Sequence, residues 1–402
     1  MIEAVLRADG GRITAALAAR FRDLDLAEDA LAEACARAVS AWTDAPPANP
    51  AGWLYRVATR VALDSLRRNA VRQATALPDP EPEPTVEDLM TAAPLIPDER
   101  LRLIFVCCHP AIHPEARAAL TLRLVCGLSA QEIARAFLIA EPALLQRLTR
   151  AKRKIADAGV PFEVPSPDHW GERLDAVLST LEVAYAHAHA DGAGTGRHAG
   201  YAEEMLGITA ALAAMLPTEA EVQALAATVR FAEARRPARI DGGGMMVPLA
   251  DQDPMLWNAP LIADGRRYLA GVLTRPLRTR GIQALIHAEW CARASLADPA
   301  PWPAILTLYE ALLARRDDPV TRLNRAVVLA EVHGPAVALE EVDALSHAGL
   351  AGYLPYHALR ADLLARLGLA EAACQAYDAA LALAPADAER RWLDRGRSKC
   401  MD

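Results

Sequence analysis

The sequence predicts an all-α protein, on three observations. Apolar residues make up 53% of the chain and aromatics only 5%, with Ala and Leu dominant, and these lose little side-chain freedom in a helix. Apolar positions recur at helical spacing in several segments. Alternating strand patterns are missing: the best strand candidate, MMVPL at 245–249, carries a Pro that cannot donate to a ladder. At 402 residues the chain exceeds one compact core, so two to four domains are expected. The absence of any run of about 18 apolar residues, and an opening MIEAVLRADGGR too polar for a signal peptide, imply a cytoplasmic protein with no membrane partner. Seven cysteines, an odd number without a CxxC pair, fit a reducing compartment rather than a disulfide framework.

Proline divides the chain. Pro78, Pro80, Pro82, Pro84, Pro94 and Pro97 cannot sit in helix interiors and mark residues 76–97 as a linker; GVPFEVPSPDHW marks a second at 159–170. Segments of 1–75, 98–158 and 171–402 remain. The net charge of −8 is uneven: residues 1–158 balance 20 Lys/Arg against 20 Asp/Glu, whereas residues 159–402 carry 23 against 31. Within the balanced part the charge is sorted. Five acids lie between Asp23 and Glu33, five Arg with one Asp between Arg56 and Arg72, and five bases with no acid between Arg147 and Lys154. DLAEDALAEACARAVSAW (25–42) is therefore read as an acidic helix capped by Asp25 with Glu28 three residues on. TDAPPAN (43–49) follows as a loop, and NPAGWLYRVATRVALDSLRR (49–68) as a basic helix on which Arg56, Arg60 and Arg67 share a face with Leu63.

The segment GLSAQEIARAFLIAEPALLQRLTRAKRKI (127–155) predicts two helices joined by a tight turn. Gly127 terminates a preceding helix, and Ser129 with Glu132 forms a capping box for a helix reaching about Phe137. LIAE makes the turn, and Pro142 suits the first position of the second helix. There Leu144, Leu148, Ala151 and Ile155 form a buried stripe at i, i+4, i+7 and i+11. That stripe points Gln146, Thr149, Arg150 and Arg153 outward, with Arg147 and Lys154 on one flank and Lys152 on the other. Polar hydrogen-bonding residues early in the second helix and cations late describe a helix-turn-helix whose second helix enters the major groove. An ordinary helical hairpin with a solvated basic face is the alternative.

An acidic helix, a Pro-containing loop, an aromatic-bearing basic helix, a linker and a helix-turn-helix, in that order, resemble a bacterial group IV (extracytoplasmic-function-type) RNA polymerase sigma factor. Residues 1–75 resemble sigma region 2, a helical bundle, through DLAEDALAEA and NPAGWLYRVATRVALDSLRR. Residues 98–158 resemble region 4 through GLSAQEIARAF and QRLTRAKRKI. CCHPAIHPEARAALTLRLVCGLS, EARRPARIDGGGMMVPLADQD and the last 100 residues resemble the branch with a long tetratricopeptide-containing extension; such proteins lack regions 1.1 and 3, for which this chain has no room. The resemblance implies promoter DNA and core RNA polymerase, through its β′ clamp helices and β flap, as partners, and neither enzymatic activity nor a cofactor. It implies that Asp25, Glu28, Asp29 and Glu33 meet the clamp helices. By the same resemblance Asp44, Asn49, Trp53 and Arg56 capture an unstacked minus-10 base while Arg60, Arg67 and Arg68 hold phosphates; Trp53, at helical spacing from Val57, also reads as core. Gln146, Thr149 and Arg150 would read the minus-35 element, with Arg147, Arg153 and Lys154 beside them. Leu144 and Leu145 depart from the polar residues often found at the start of that helix.

The rest of the chain offers weaker patterns. Cys107, Cys108, His109 and His113 lack the spacing of a zinc set, and His187 and His189 point to different helix faces. Asp241, Gly242, Gly243 and Gly244 lack the Lys and strand of a phosphate loop and read as a permissive turn at an interdomain contact. Asp251, Gln252 and Asp253 would suit acid–base chemistry, but nothing completes such a site. In the C-terminal part AILTLYEALL, ALEEVDALSH and AACQAYDAAL are offset by 34 residues twice, aligning Ala304, Ala338 and Ala372, with Gly334 matching Gly368. That is the tetratricopeptide period, read as small residues where helices pack closely. A helical extension at 171–285 carrying the DGGG turn and TPR-like repeats at 286–402 are therefore expected, the latter fitted to a peptide or protein ligand. A helical scaffold without promoter recognition is the alternative for the whole chain.

Overall fold

The computed structural model describes residues 2–42, 46–72, 99–137, 139–163, 171–190 and 199–401; the Pro-rich linker, Asp44, Leu138 and the side chains of Glu132, His187 and His189 lie outside these. Regular structure among the described residues is helical throughout. MMVPL forms no strand, and Met246 makes only an isolated antiparallel bridge to Ile240. No helix among the described residues is long and apolar enough to cross a membrane. The chain divides into two compact units, Met1–Ala188 with Arg197–Ile208 and His189–Gly196 with Thr209–Asp402.

In the first unit α1 (Ile2–Phe21), α2 (Leu24–Ala41) and α3 (Pro50–Arg72) pack on one another. Gly10 and Gly11 sit inside α1, each costing about 1 kcal/mol of propensity relative to Ala; full burial of Ile13 and Leu17 offsets this. Arg22 turns left-handed (φ 55) and ends α1. The next residue, Asp23, is extended, and its carboxylate accepts the Leu26 amide at 3.0 Å. Asp23 and not Asp25 is therefore the cap of α2, which frees Asp25 and Glu28 for other contacts. At the start of α3, Asn49 Oδ1 accepts the Gly52 amide at 2.8 Å.

The remaining helices of this unit are α4 (Arg100–Cys107), α5 (Pro114–Leu124), α6 (Ala130–Ala136), α7 (Glu141–Asp157), α8 (Gly171–Ala190) and the first part of α9 (Ala199–Met215). Gly127 adopts φ 66 after α5, as its role of terminator requires. The cores of α4 and α8 are tied by the Cys108 thiol, 3.5 Å from the Thr180 hydroxyl, both buried. Burial drives the Cys107 thiol well up and the Cys108 thiol up to about 11, so both are neutral core groups. Among the described residues no three His, Cys, Asp or Glu are placed to hold a metal ion.

The second unit is organised around α10 (Ala220–Ala234), buried on nearly every side between α11 (Ala259–Leu273) and α12 (Thr279–Trp290). Its buried charged residues Glu221, Arg230 and Glu233 each have an ionic partner, in Arg280, Asp264 and Arg236, as low dielectric demands. Arg230 donates to Asp264, Thr209, Tyr268 and the Ala226 carbonyl, with its guanidinium 4.3 Å from the Tyr268 ring centroid. Gln223 closes the end of α9 by donating to the Ala213 and Leu216 carbonyls, 3.1 Å each. α11 approaches α10 closely because Gly265 has no side chain: a Cβ there would lie 2.8 Å from the Phe231 ring.

Helices α13 (Trp302–Leu313), α14 (Pro319–Val332), α15 (Pro335–Ala344), α16 (Leu354–Arg366), α17 (Ala370–Ala382) and α18 (Asp387–Met401) follow, each packed on its predecessor. The 34-residue offset recurs in the turns, since α14 and α16 end at Val332 and Arg366 and each is followed two residues on by a left-handed glycine, Gly334 (φ 92) and Gly368 (φ 74). These glycines serve backbone conformation rather than close packing, since a Cβ at either meets nothing within 4 Å. The aligned alanines do not share one environment either: Ala304 is exposed, Ala338 fully buried and Ala372 intermediate.

The DGGG turn also has a local explanation. Asp241 Oδ1 accepts the amides of Gly243 and Met245, both at 2.9 Å, and Gly244 takes φ 77. The turn lies on α18, where Arg391 donates to the Gly243 carbonyl and the Met246 amide donates to the Ala388 carbonyl at 3.1 Å. This contact lies within the second compact unit. In the following DQD, Gln252 is buried and donates to the Val247 carbonyl, while the Asp253 carboxylate accepts the Met255 amide, so both are occupied structurally.

Gly265→Ala should destabilise the second unit by about 1–3 kcal/mol through overpacking against Phe231, read as faster amide exchange across α10 and α11. Gly242→Ala, in open space, should leave exchange unchanged.

Candidate nucleic-acid interface

The buried residues of α7 are Leu144, Leu148, Ala151 and Ile155, the stripe its sequence predicts. With these four against α5 and α6, helical geometry turns the opposite face to solvent. Gln146, Thr149, Arg150, Arg153 and Lys154 are exposed. Pro142 falls at the second helical position, one later than expected, after Ala140, which supplies no side-chain cap.

The exposed residues differ in their freedom. Among the described residues Arg150 donates only through Nε, to the Gln146 carbonyl at 3.3 Å, which leaves both terminal amines of its guanidinium available, and Thr149 Oγ1 donates to the Leu145 carbonyl at 2.9 Å. Arg153 is loosely paired with Asp157 at 3.7 Å, and Lys154 has no partner among the described residues. Arg147 is held by Glu115 of α5 at 2.9 Å. Arg147, Arg150 and Lys154 line an open hollow of about 270 Å³ with His113 at the start of α5. In the sequence His113 stands out only within a group lacking zinc spacing, because only the packing of α5 beside α7 brings it to this hollow. Leu145 projects 47% exposed from the first turn, an apolar surface suited to a thymine methyl, whereas Leu144 is core.

On α3, Arg56 and Arg60 lie one turn apart and half-buried. Burial, and then the charge of Arg60, hold Arg56 below its ordinary pKa. Two crowded guanidiniums favour an anion beside them. Arg67 pairs with Asp64 at 3.6 Å, and Arg68 donates to the Asp64 carbonyl. Trp53 is half-buried and packs edge-to-face on Trp42, ring centroids 5.4 Å apart at 67°. Its ring is thus held by a partner from the end of α2 while part of it stays exposed. Asn49 is exposed but spends its carbonyl oxygen capping α3. Asp44 lies outside the described residues.

Residues 6–72 match the sigma-70 region 2 family and residues 102–155 match sigma-70, region 4. The chain carries a sigma-70 region 2 domain and a sigma-70 region 4 domain. Both matches fall on α1–α3 and α4–α7, so the outward face of α7 is the second helix of a region 4 helix-turn-helix, and the domains are those of an extracytoplasmic-function-type sigma factor for promoter recognition. Residues 173–273 match a family of unknown function, DUF6596. The chain is 37% identical over 393 residues to an uncharacterized protein of Rhizobium meliloti (strain 1021), covering 94% of this chain and 90% of that one. No solved structure matches it.

The acidic helix carries an arrangement that local sequence cannot show. Lys152, on the flank of α7 away from Lys154, donates to Asp25 at 2.8 Å and also to Glu28, and Arg123 of α5 donates to Glu28 at 3.0 Å. Glu33 pairs with Arg37 at 2.9 Å, while Asp29 is exposed with no partner among the described residues.

Arg150→Ala should cost about 1–3 kcal/mol and relax preference at one position of the upstream promoter element, whereas Lys154→Ala should weaken binding to all sequences alike and flatten its salt dependence. Holoenzyme binding to a set of single-base promoter variants at two salt concentrations checks both.

Proposed function

We propose that the protein binds core RNA polymerase and directs initiation at promoters through minus-10 and minus-35 recognition, with its C-terminal extension supporting activity in cis. The observation that carries this reading is the outward face of α7, where Gln146, Thr149 and Arg150 stand exposed ahead of Arg153 and Lys154. A guanidinium can take guanine bidentately and a carboxamide adenine, while the later cations, with Arg147, suit flanking phosphates. Around α3, Arg56 and Arg60 suit the non-template strand, with Arg67 and Arg68 further along and the Trp42–Trp53 pair as the aromatic surface beside Asn49. Asp44 keeps a proposed place in the minus-10 pocket. Asp25, Glu28, Asp29 and Glu33 would meet the β′ clamp helices, where charge complementarity speeds encounter and fixes register, and region 4 would meet the β flap. The successive helices after α13 suit a peptide or protein ligand. The direct test is run-off transcription with purified core polymerase, in which the full chain should give a promoter-dependent transcript; none from any promoter upstream of genes it controls would overturn the reading.

The extension enters through the DGGG turn seated on α18. Gly244→Val places a β-branched residue at φ 77, with Cβ 2.7 Å from the Arg391 guanidinium. The flexible arginine can move, but the backbone strain cannot be relieved by it. Promoter-dependent transcription should fall severalfold for Gly244→Val and stay unchanged for Gly242→Ala, with both proteins folded by circular dichroism. Equal activity would show that the seated turn is not needed.

A further inference from the structure

Two of the four acids proposed to meet core polymerase, Asp25 and Glu28, are already engaged by α5 and α7, whereas Glu33 pairs only within α2, with Arg37. Glu28 uses both carboxylate oxygens, one on Arg123 of α5 and one on Lys152 of α7; Lys152 bridges onward to Asp25. The partners are 95 and 127 residues apart in sequence, so this is a tertiary contact between the helix-turn-helix and the acidic helix. It is well enclosed at its centre: the Lys152 side chain is 14% exposed and that of Glu28 19%. Burial alone would lower the Lys152 pKa, but the bonds to Asp25 and Glu28 outweigh it and hold the ammonium above its ordinary value. Asp29 and Glu33, further along α2, remain exposed. Lys152 meanwhile is turned aside from the outward row of α7 that carries Gln146, Arg150 and Lys154.

We propose that this contact is a self-masking latch: in the free protein Lys152 and Arg123 occupy Asp25 and Glu28 of α2, and a partner presenting its own cations to α2 must displace them. The inference rests on the proposed docking of α2 on core polymerase. Its logic is competition for the same carboxylates, beside which a partner's cations would meet the like charges of Lys152 and Arg123. A latch of a few partly screened ion pairs is weak enough to be opened by a large partner surface. It nonetheless reduces apparent affinity by the fraction of molecules that are closed. Opening also frees α7 and its helix-turn-helix from α2, so that engagement of core and freedom of the promoter-reading helix are linked in one equilibrium.

The test uses the full chain. A zero-length carbodiimide, which joins an amine only to a carboxylate in contact with it, should crosslink Lys152 to Asp25 or Glu28 in the free protein, mapped by mass spectrometry, and the crosslink should disappear at saturating core polymerase. Lys152→Ala should tighten core binding about fivefold or more at low ionic strength, an effect that shrinks as salt is raised; Arg123→Gln is the second variant, should the first fold poorly. Asp29→Lys changes an acid outside the latch and tests the docking itself. If Asp29→Lys weakens core binding while Lys152→Ala and Arg123→Gln do not tighten it, the latch is wrong and docking stands. If Asp29→Lys has no effect, the docking reading fails. A crosslink absent from free protein, or of equal yield with core bound, overturns the latch on its own.

Discussion

The arrangement of the promoter-facing half depends on one constraint, the burial of Leu144, Leu148, Ala151 and Ile155 along one side of α7. A rigid helix with one face committed to a core has no freedom left in its other faces. The stripe therefore determines that Gln146, Thr149 and Arg150 meet solvent, that Arg147 reaches Glu115, and that Lys152 turns toward α2. In the proposed reading role, side chains on a helix held this way would need little reordering of the backbone when DNA arrives, which keeps the entropic cost of binding low.

The charge pattern follows the same logic at longer range. The promoter-facing segment has balanced charge, and part of its balance is internal, with Lys152 and Arg123 set against Asp25 and Glu28. What remains uncommitted on α7 among the described residues is Arg150 and Lys154, a small set of cations that suits recognition assisted by a larger machine better than tight binding to DNA by this chain alone. The second unit uses buried charge differently: Arg230 with Asp264, and Arg280 with Glu221 at 3.5 Å, bind helices of one unit together and offer nothing to a partner.

Much of this was legible in the sequence because local periodicity carried it. The stripe of α7, the terminator Gly127 and the helical class all follow from patterns within a few turns. Other features escaped for identifiable reasons. Asp23 and Asp25 both suit a cap, and only the left-handed Arg22 decides between them. Trp53 is stacked edge-to-face on Trp42, a partner across a loop that its spacing from Val57 does not reveal. Gly334 and Gly368 mark left-handed turns, a role that small size in an alignment does not distinguish from close packing. The pairing of α2 with α5 and α7 is a matter of how distant helices meet, on which no local pattern bears.

The outward face of α7 is proposed to read promoter sequence as part of a polymerase holoenzyme. The most direct measurement is selection of a randomised upstream element by core polymerase reconstituted with the full chain, run in parallel with Gln146→Arg. The account predicts that one short element is enriched with the natural chain and that the variant changes the preferred base at a single position of it. No enriched element, or the same element from both proteins, would contradict it.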